Sequence, residues 1–290
     1  MGKKKKKDAV QDLVSIGLKI LKSGKLKLRK GYTISMEEIS KESIDNTIGS
    51  RFEALEDNSK VSMENDPLLE ISGQWCDPMH TYRMMSRLQE EGSELITLVH
   101  VASRKHVERL FDYAGRSLIG ELLRCSNLGT VYKAFHENWE GLLKNSKGMD
   151  CLLFIPSITV FADEELGIFT DKQTKVNLLL YVVKGKTSTL EDTTIFGSDT
   201  TEGEEEKKDE LGTVAARVLE SAVRVGCGNL IIDPLSYKEY AKDVDAASAD
   251  WHAVLSEDRV NTHIKNITFC VDDDDDFIIF WKSRHPENRA

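Results

Sequence analysis

The run KVNLLLYVVK, Lys175 to Lys184, constrains the fold more than any other stretch of this chain. Between its lysines only Asn177 and the Tyr181 hydroxyl are polar. A strand that hides one face alternates apolar and polar residues. A continuous apolar run is hidden on both faces, as a parallel strand between helical layers is. Leu95 to Ala102 (LITLVHVA) has the same character, interrupted only by Thr97 and His100.

Further segments read as strands: Cys151 to Phe161, taken as two pieces kinked at Pro156 because proline cannot donate in a central ladder, Asn229 to Asp233, Ile267 to Val271 and Phe277 to Trp281. A short extended piece is expected at Gly31 to Ile34 and another at Lys60 to Met63. Helical spacing marks Asp8 to Lys22, Pro78 to Gly92, Ser117 to Leu123, Thr130 to Lys144, Leu211 to Val225 and Tyr237 to Leu255. A further helix starts at Ser35, where Glu38 completes a capping box. From Leu95 onward strands and helices alternate, which predicts an α/β/α sandwich with a mixed, mainly parallel sheet. The expected organisation is a basic disordered tail (1–7), one domain (8–282) with a mobile acidic loop at 187–209, and a short tail (283–290).

The 290 residues carry a net charge of −10, which argues against general nucleic-acid binding. No apolar run reaches the length of a membrane span, and the lysines at Lys3 to Lys7 lack the apolar core of a secretory signal. Lys7 stands where a myristoylation motif wants serine or threonine. Five scattered cysteines without metal spacing predict reduced thiols, hence a cytoplasmic or nuclear protein. No metal or other cofactor is expected. The acidic turn Asp272 to Asp276 lacks the glycine and terminal glutamate of a calcium loop.

Several segments, in order, resemble the microbial-type poly(ADP-ribose) glycohydrolases: DAVQDLVSIGLKILKSGKLKLRKGYTISMEEISKESIDNT, LITLVHVAS, GELLRCSNL, LLFIPSITVFAD, RVLESAVRVGCGNLIIDPLSYKEYAKDVDAASADW and ITFCVDD. The resemblance spans Asp8 to Asp273 and implies a macrodomain-like fold, in agreement with the element order. That family carries P-G-G-G, a spacer and Q-E-E, whose second glutamate does the acid chemistry. Here the glycines fall at about Lys105 to Glu108, where there are none, and Q-E-E falls on Ile119-Gly120-Glu121. The family's second glycine loop, G-A-W-G-C-G, falls on Asp233 to Lys238, again without glycine, and its strand asparagine falls on His100. Gly226-Cys227-Gly228 copies the letters but precedes its strand, so it reads as a helix end and turn.

The losses have a physical meaning. A diphosphate sits against bare backbone N–H groups, and side chains hold it away. Asp233 adds a like charge, worth roughly 4 kcal/mol of repulsion at about 4 Å and an effective dielectric near 20. Pro234 removes a donor. The resemblance therefore implies a catalytically degenerate module with a protein partner, ADP-ribose being disfavoured. One alternative is a divergent glycohydrolase with Glu121 as its acid, although Glu121 also reads as an ordinary helix-surface carboxylate. Another is a different small ligand in a reshaped cleft lined by His100, Ser103, His106, Asp233, Ser236 and Tyr237. On its own strand His100 reads as a satisfied core or edge histidine.

Overall fold

The structure is a computed structural model that describes residues 3–27, 31–52, 68–72, 78–88, 93–104, 107–115, 117–146, 149–163, 168–183, 214–232, 244–255 and 264–270. In chain order the elements are α1 Lys3–Ser23, β1 Lys25–Lys27, β2 Thr33–Ser35, α2 Met36–Asp45, β3 Ile48–Arg51, β4 Leu68–Ser72, α3 Pro78–Leu88, β5 Ile96–Ser103, α4 Val107–Leu110, α5 Leu118–Cys125, α6 Leu128–Asn145, β6 Cys151–Asp163, β7 Ile168–Val183, α7 214–224, β8 Asn229–Ile232, α8 Val244–Leu255 and β9 Asn266–Cys270.

Strands β1 and β2 form a small hairpin of their own. The other described strands make one sheet in the order β3-β6-β7-β5-β8-β9-β4. From β7 to β4 every neighbouring pair is parallel, and β3, β6 and β7 pair antiparallel. The sheet is thus mixed and mainly parallel. The opening run lies inside it, between β6 and β5, with Leu178, Leu179 and Leu180 all at 0% exposure, because apolar clusters cover both faces. One cluster joins Leu98, Leu178 and Leu180 to Leu13 of α1, Met79 and Tyr82 of α3, Ile119 and Leu122 of α5 and Val131 of α6. The other joins Val99, Val101 and Leu179 to Val214, Val218 and Leu219 of α7 and Trp251 and Val254 of α8. Helices therefore lie on both sides.

Several expectations change. Cys151 to Phe161 is one strand rather than two pieces; Pro156 and Ser157 fall where its register with β7 shifts between Ile155 and Ile158. The irregular step absorbs the missing donor without ending the strand. Ser157 has φ +53, and its polar groups are all held: its N–H donates to Asn177 Oδ1, its hydroxyl to Glu42, and its carbonyl accepts from Ser43. Strand β7 begins at Ile168, earlier than its apolar run, because its first half pairs with β6 alone. Helix α1 begins at Lys3, so the lysine run expected as a disordered tail is helical backbone; lysine is a good helix former and continues an amphipathic helix. Strands β3 and β4 and the single turn α4 carry no pattern that announced them. The expected strands at Lys60–Met63 and Phe277–Trp281 and the acidic loop 187–209 lie outside the described residues.

Candidate functional site

The parallel strands β5, β7, β8 and β9 run out at Ser103, Val183, Ile232 and Cys270, on one edge of the sheet. Open α/β sheets bind their ligands beyond such strand ends. Of the cleft residues expected there, His106, Asp233, Ser236 and Tyr237 lie outside the described residues, as does Lys105. His100 and Ser103 are described, both on β5.

Ser103 is buried at the strand's last position, paired with Val183. The next residue, Arg104, carries the pairing one step further: its N–H donates to Val183 O at 3.2 Å. Its guanidinium turns to the end of α6, giving Nη1 to Ser146 O at 2.9 Å and Nη2 to Ser146 Oγ at 2.8 Å. Ser146 is the C-cap of that helix. A cation there satisfies an orphan carbonyl and meets the negative end of the helix dipole. At the point where a nucleotide loop would begin, one backbone donor is already spent and one arginine is already engaged.

His100 shares a face of β5 with Leu98 and Ala102 by strand alternation. It keeps some exposed area, yet burial pushes its imidazole down to about 4, so it is neutral at physiological pH. Its ring makes no hydrogen bond among the described residues.

Glu121 lies in the first turn of α5, whose N-cap Ser117 accepts from Gly120 N–H at 3.1 Å. It is not a free surface carboxylate. Glu121 accepts a hydrogen bond from Arg83 Nη2 of α3, and Arg83 Nε lies 3.7 Å from Asp163 Oδ1 at the end of β6. The three side chains are 17%, 11% and 10% exposed. Burial opposes the charge on Arg83, but Glu121, Cys125 and Asp163 outweigh it and raise its pKa overall. Along the sheet register Asp163 stands opposite Ile168, whereas Cys151, at the other end of β6, stands opposite Val182. The cluster thus belongs to the end of the β6–β7 hairpin remote in register from Ser103. Sequence reading found Glu121 but missed both partners. The one available signal was a lone acid closing the apolar strand LLFIPSITVFAD.

The segment between α4 and α5 is pinned. Arg124, 3% exposed, gives Nη1 to Tyr113 O and Gly115 O, both at 2.6 Å. Gly115 N–H donates to Asp112 O at 2.9 Å. The Tyr113 ring slots between α1 and α6: a Cβ on Gly17 would meet Tyr113 Cε1 at 3.1 Å, and one on Gly129 would meet its Oη at 1.9 Å. Burial pushes the Tyr113 phenol up to about 12. This pinned segment leads into the helix that carries Glu121. Among the described residues no group of three or more His, Cys, Asp or Glu side chains is placed to hold a metal ion.

No protein-family model and no curated protein matches this chain. Solved structures do. Poly(ADP-ribose) glycohydrolase from Thermomonospora curvata aligns over 95% of this chain and 99% of its own, with a TM-score of 0.66 at 15% identity. The same enzyme bound to the inhibitor ADP-HPD gives a TM-score of 0.68 at 16% identity over the same spans. Poly(ADP-ribose) glycohydrolase from Deinococcus radiodurans in complex with ADP-ribose aligns over 85% of this chain and 97% of its own, with a TM-score of 0.61 at 15% identity. The chain has the macrodomain-like fold of these glycohydrolases. At such identity the likeness concerns the scaffold, and function follows the site.

Proposed function

We propose that this chain is a catalytically degenerate glycohydrolase-like macrodomain that serves as an interaction module or assembly subunit for a protein partner. The observation that carries this reading is the closed end of β5. Arg104 spends its N–H on Val183 and its guanidinium on Ser146. A diphosphate needs unspent backbone donors and a close approach at that point. The absence of glycine from Lys105 to Glu108 and from Asp233 to Lys238 points the same way.

The test is calorimetric titration of the full chain with ADP-ribose. No heat beyond dilution is expected. Saturable binding in the micromolar range sinks the reading and favours the alternative, a divergent ADP-ribose-binding protein or glycohydrolase. If ADP-ribose is silent, a thermal-shift screen of small ligands separates a protein-binding module from a reshaped ligand cleft around His100 and Ser103.

A further inference from the structure

Glu121 falls where the resemblance puts an acid, yet its surroundings are those of a structural anion. Its partner Arg83 comes from α3, and the second carboxylate, Asp163, comes from the end of β6. Three separate elements thus meet through one guanidinium. Each side chain is more than four-fifths buried, so water does little to screen them. The guanidinium fork suits this duty: Nη2 serves Glu121 while Nε faces Asp163. At 3.7 Å that second contact is an ion pair and not a hydrogen bond, and Arg83 Nε is buried without a hydrogen-bond partner. Glu121 is therefore the one carboxylate bonded directly to Arg83 in this cluster, and removing it leaves a buried cation with a single, longer contact.

A general acid must carry a proton and be free to pass it on. A carboxylate bonded to a guanidinium is favoured in its ionised form, and moving it toward a substrate breaks the bond. Neighbouring apolar packing reinforces this: Tyr82, Ile119 and Leu122 sit at 0% exposure in one cluster, so α3 and α5 cannot slide to give Glu121 another geometry without opening the core.

We infer that Arg83, Glu121 and Asp163 form an ionic clamp across α3, α5 and β6, and that Glu121 is committed to it, an inhibitory contact that withholds its carboxyl group from proton donation. The clamp is independent of what the chain binds, so ADP-ribose binding by the native protein does not bear on it.

The experiment is a double-mutant cycle on the full chain: Glu121→Gln, Arg83→Met and both together, followed by thermal unfolding and by release of ADP-ribose from an ADP-ribosylated protein. Each single substitution is expected to lower Tm by on the order of 10 °C. The double variant should fall by clearly less than the sum, because the second change removes the group whose direct partner the first took away. Any release of ADP-ribose by the native chain should persist in folded Glu121→Gln. A Glu121→Gln variant within about a degree of the native Tm, with an additive double variant, overturns the clamp. So does loss of ADP-ribose release in a Glu121→Gln protein that remains folded. If Arg83→Met does not fold, Arg83→Lys closes the cycle with the same criterion of non-additivity.

Discussion

His100 shows how a single side chain couples this fold to pH. Its folded pKa is lowered by burial from 6.5 to about 4. As pH falls below about 6.5, the unfolded chain takes up a proton at this position and the folded chain does not. Stability contributed by the neutral imidazole is complete above that pH and is lost as pH falls toward about 4. His100→Gln removes this linkage. The fall in urea midpoint between about pH 7 and about pH 5 should be smaller in the variant than in the native chain; an equal fall would show that His100 does not drive it. The candidate positions were legible in the letters because they lie on or next to strongly patterned elements: His100 and Ser103 on an apolar strand, Glu121 just inside a capped helix. What they do was not legible. Arg104 reads as one more basic residue in SRKH until α6 brings Ser146 to it, a separation of 42 residues. Arg83 reads as the polar face of its helix until Glu121, 38 residues away, meets it.

At the scale of the element, helix α6 carries two glycines with opposite meanings. Gly129 gives Tyr113 room for its hydroxyl, where a Cβ would lie at 1.9 Å; Gly141 has nothing within 4 Å of its missing Cβ. Gly129→Ala must expel Tyr113 from its slot, an overpacking cost of about 1–3 kcal/mol that also loosens the segment before α5. Gly141→Ala should stabilise by about 0.5–1 kcal/mol through helix propensity alone. Urea unfolding of the two variants should therefore move the midpoint in opposite directions, and a shift of the same sign in both discards the slot. Nearby, Asn127 joins three elements. Its side chain donates to Ile39 O at 3.0 Å and Ser40 Oγ at 3.1 Å and accepts from Thr159 N–H at 2.9 Å. The buried face of α2 is thus partly polar, with Ser40 and Ser43 at 0% exposure. Its docking depends on hydrogen bonds as well as on apolar area, and a hydrophobic pattern cannot announce such a face.

For the molecule as a whole, the two apolar clusters on either side of the sheet also decide the chemistry of its thiols. Cys125, Cys151, Cys227 and Cys270 are free and buried. Burial pushes the Cys227 thiol up to about 11, against the hydrogen bonds from Thr97 and Asn177 that favour its thiolate. A thiol must meet its reagent to react, and all four side chains are buried, so none should react readily in the folded protein. Iodoacetamide labelling followed by mass spectrometry should leave all four unmodified in buffer and modify them in denaturant. Rapid labelling of Cys227 in buffer would show that its cluster opens. The sheet order itself, β3-β6-β7-β5-β8-β9-β4, places strands next to one another that are far apart in the chain; β4 pairs β9 across nearly two hundred positions. Right-handed parallel crossovers permit many such orders for one list of strands.

The amino-acid sequence by itself determined which segments are buried on both faces, and hence that a mainly parallel sheet lies between helices. Periodicity and capping are local, and they are written within a few residues of where they act. Tertiary structure alone decided the outermost described strands β3 and β4, the irregular step at Pro156–Ser157 and the partners of Arg104 and Glu121. Each of these depends on contacts between residues distant along the chain. The energy of a buried charge or an unspent backbone donor is set by what surrounds it and not by its own identity.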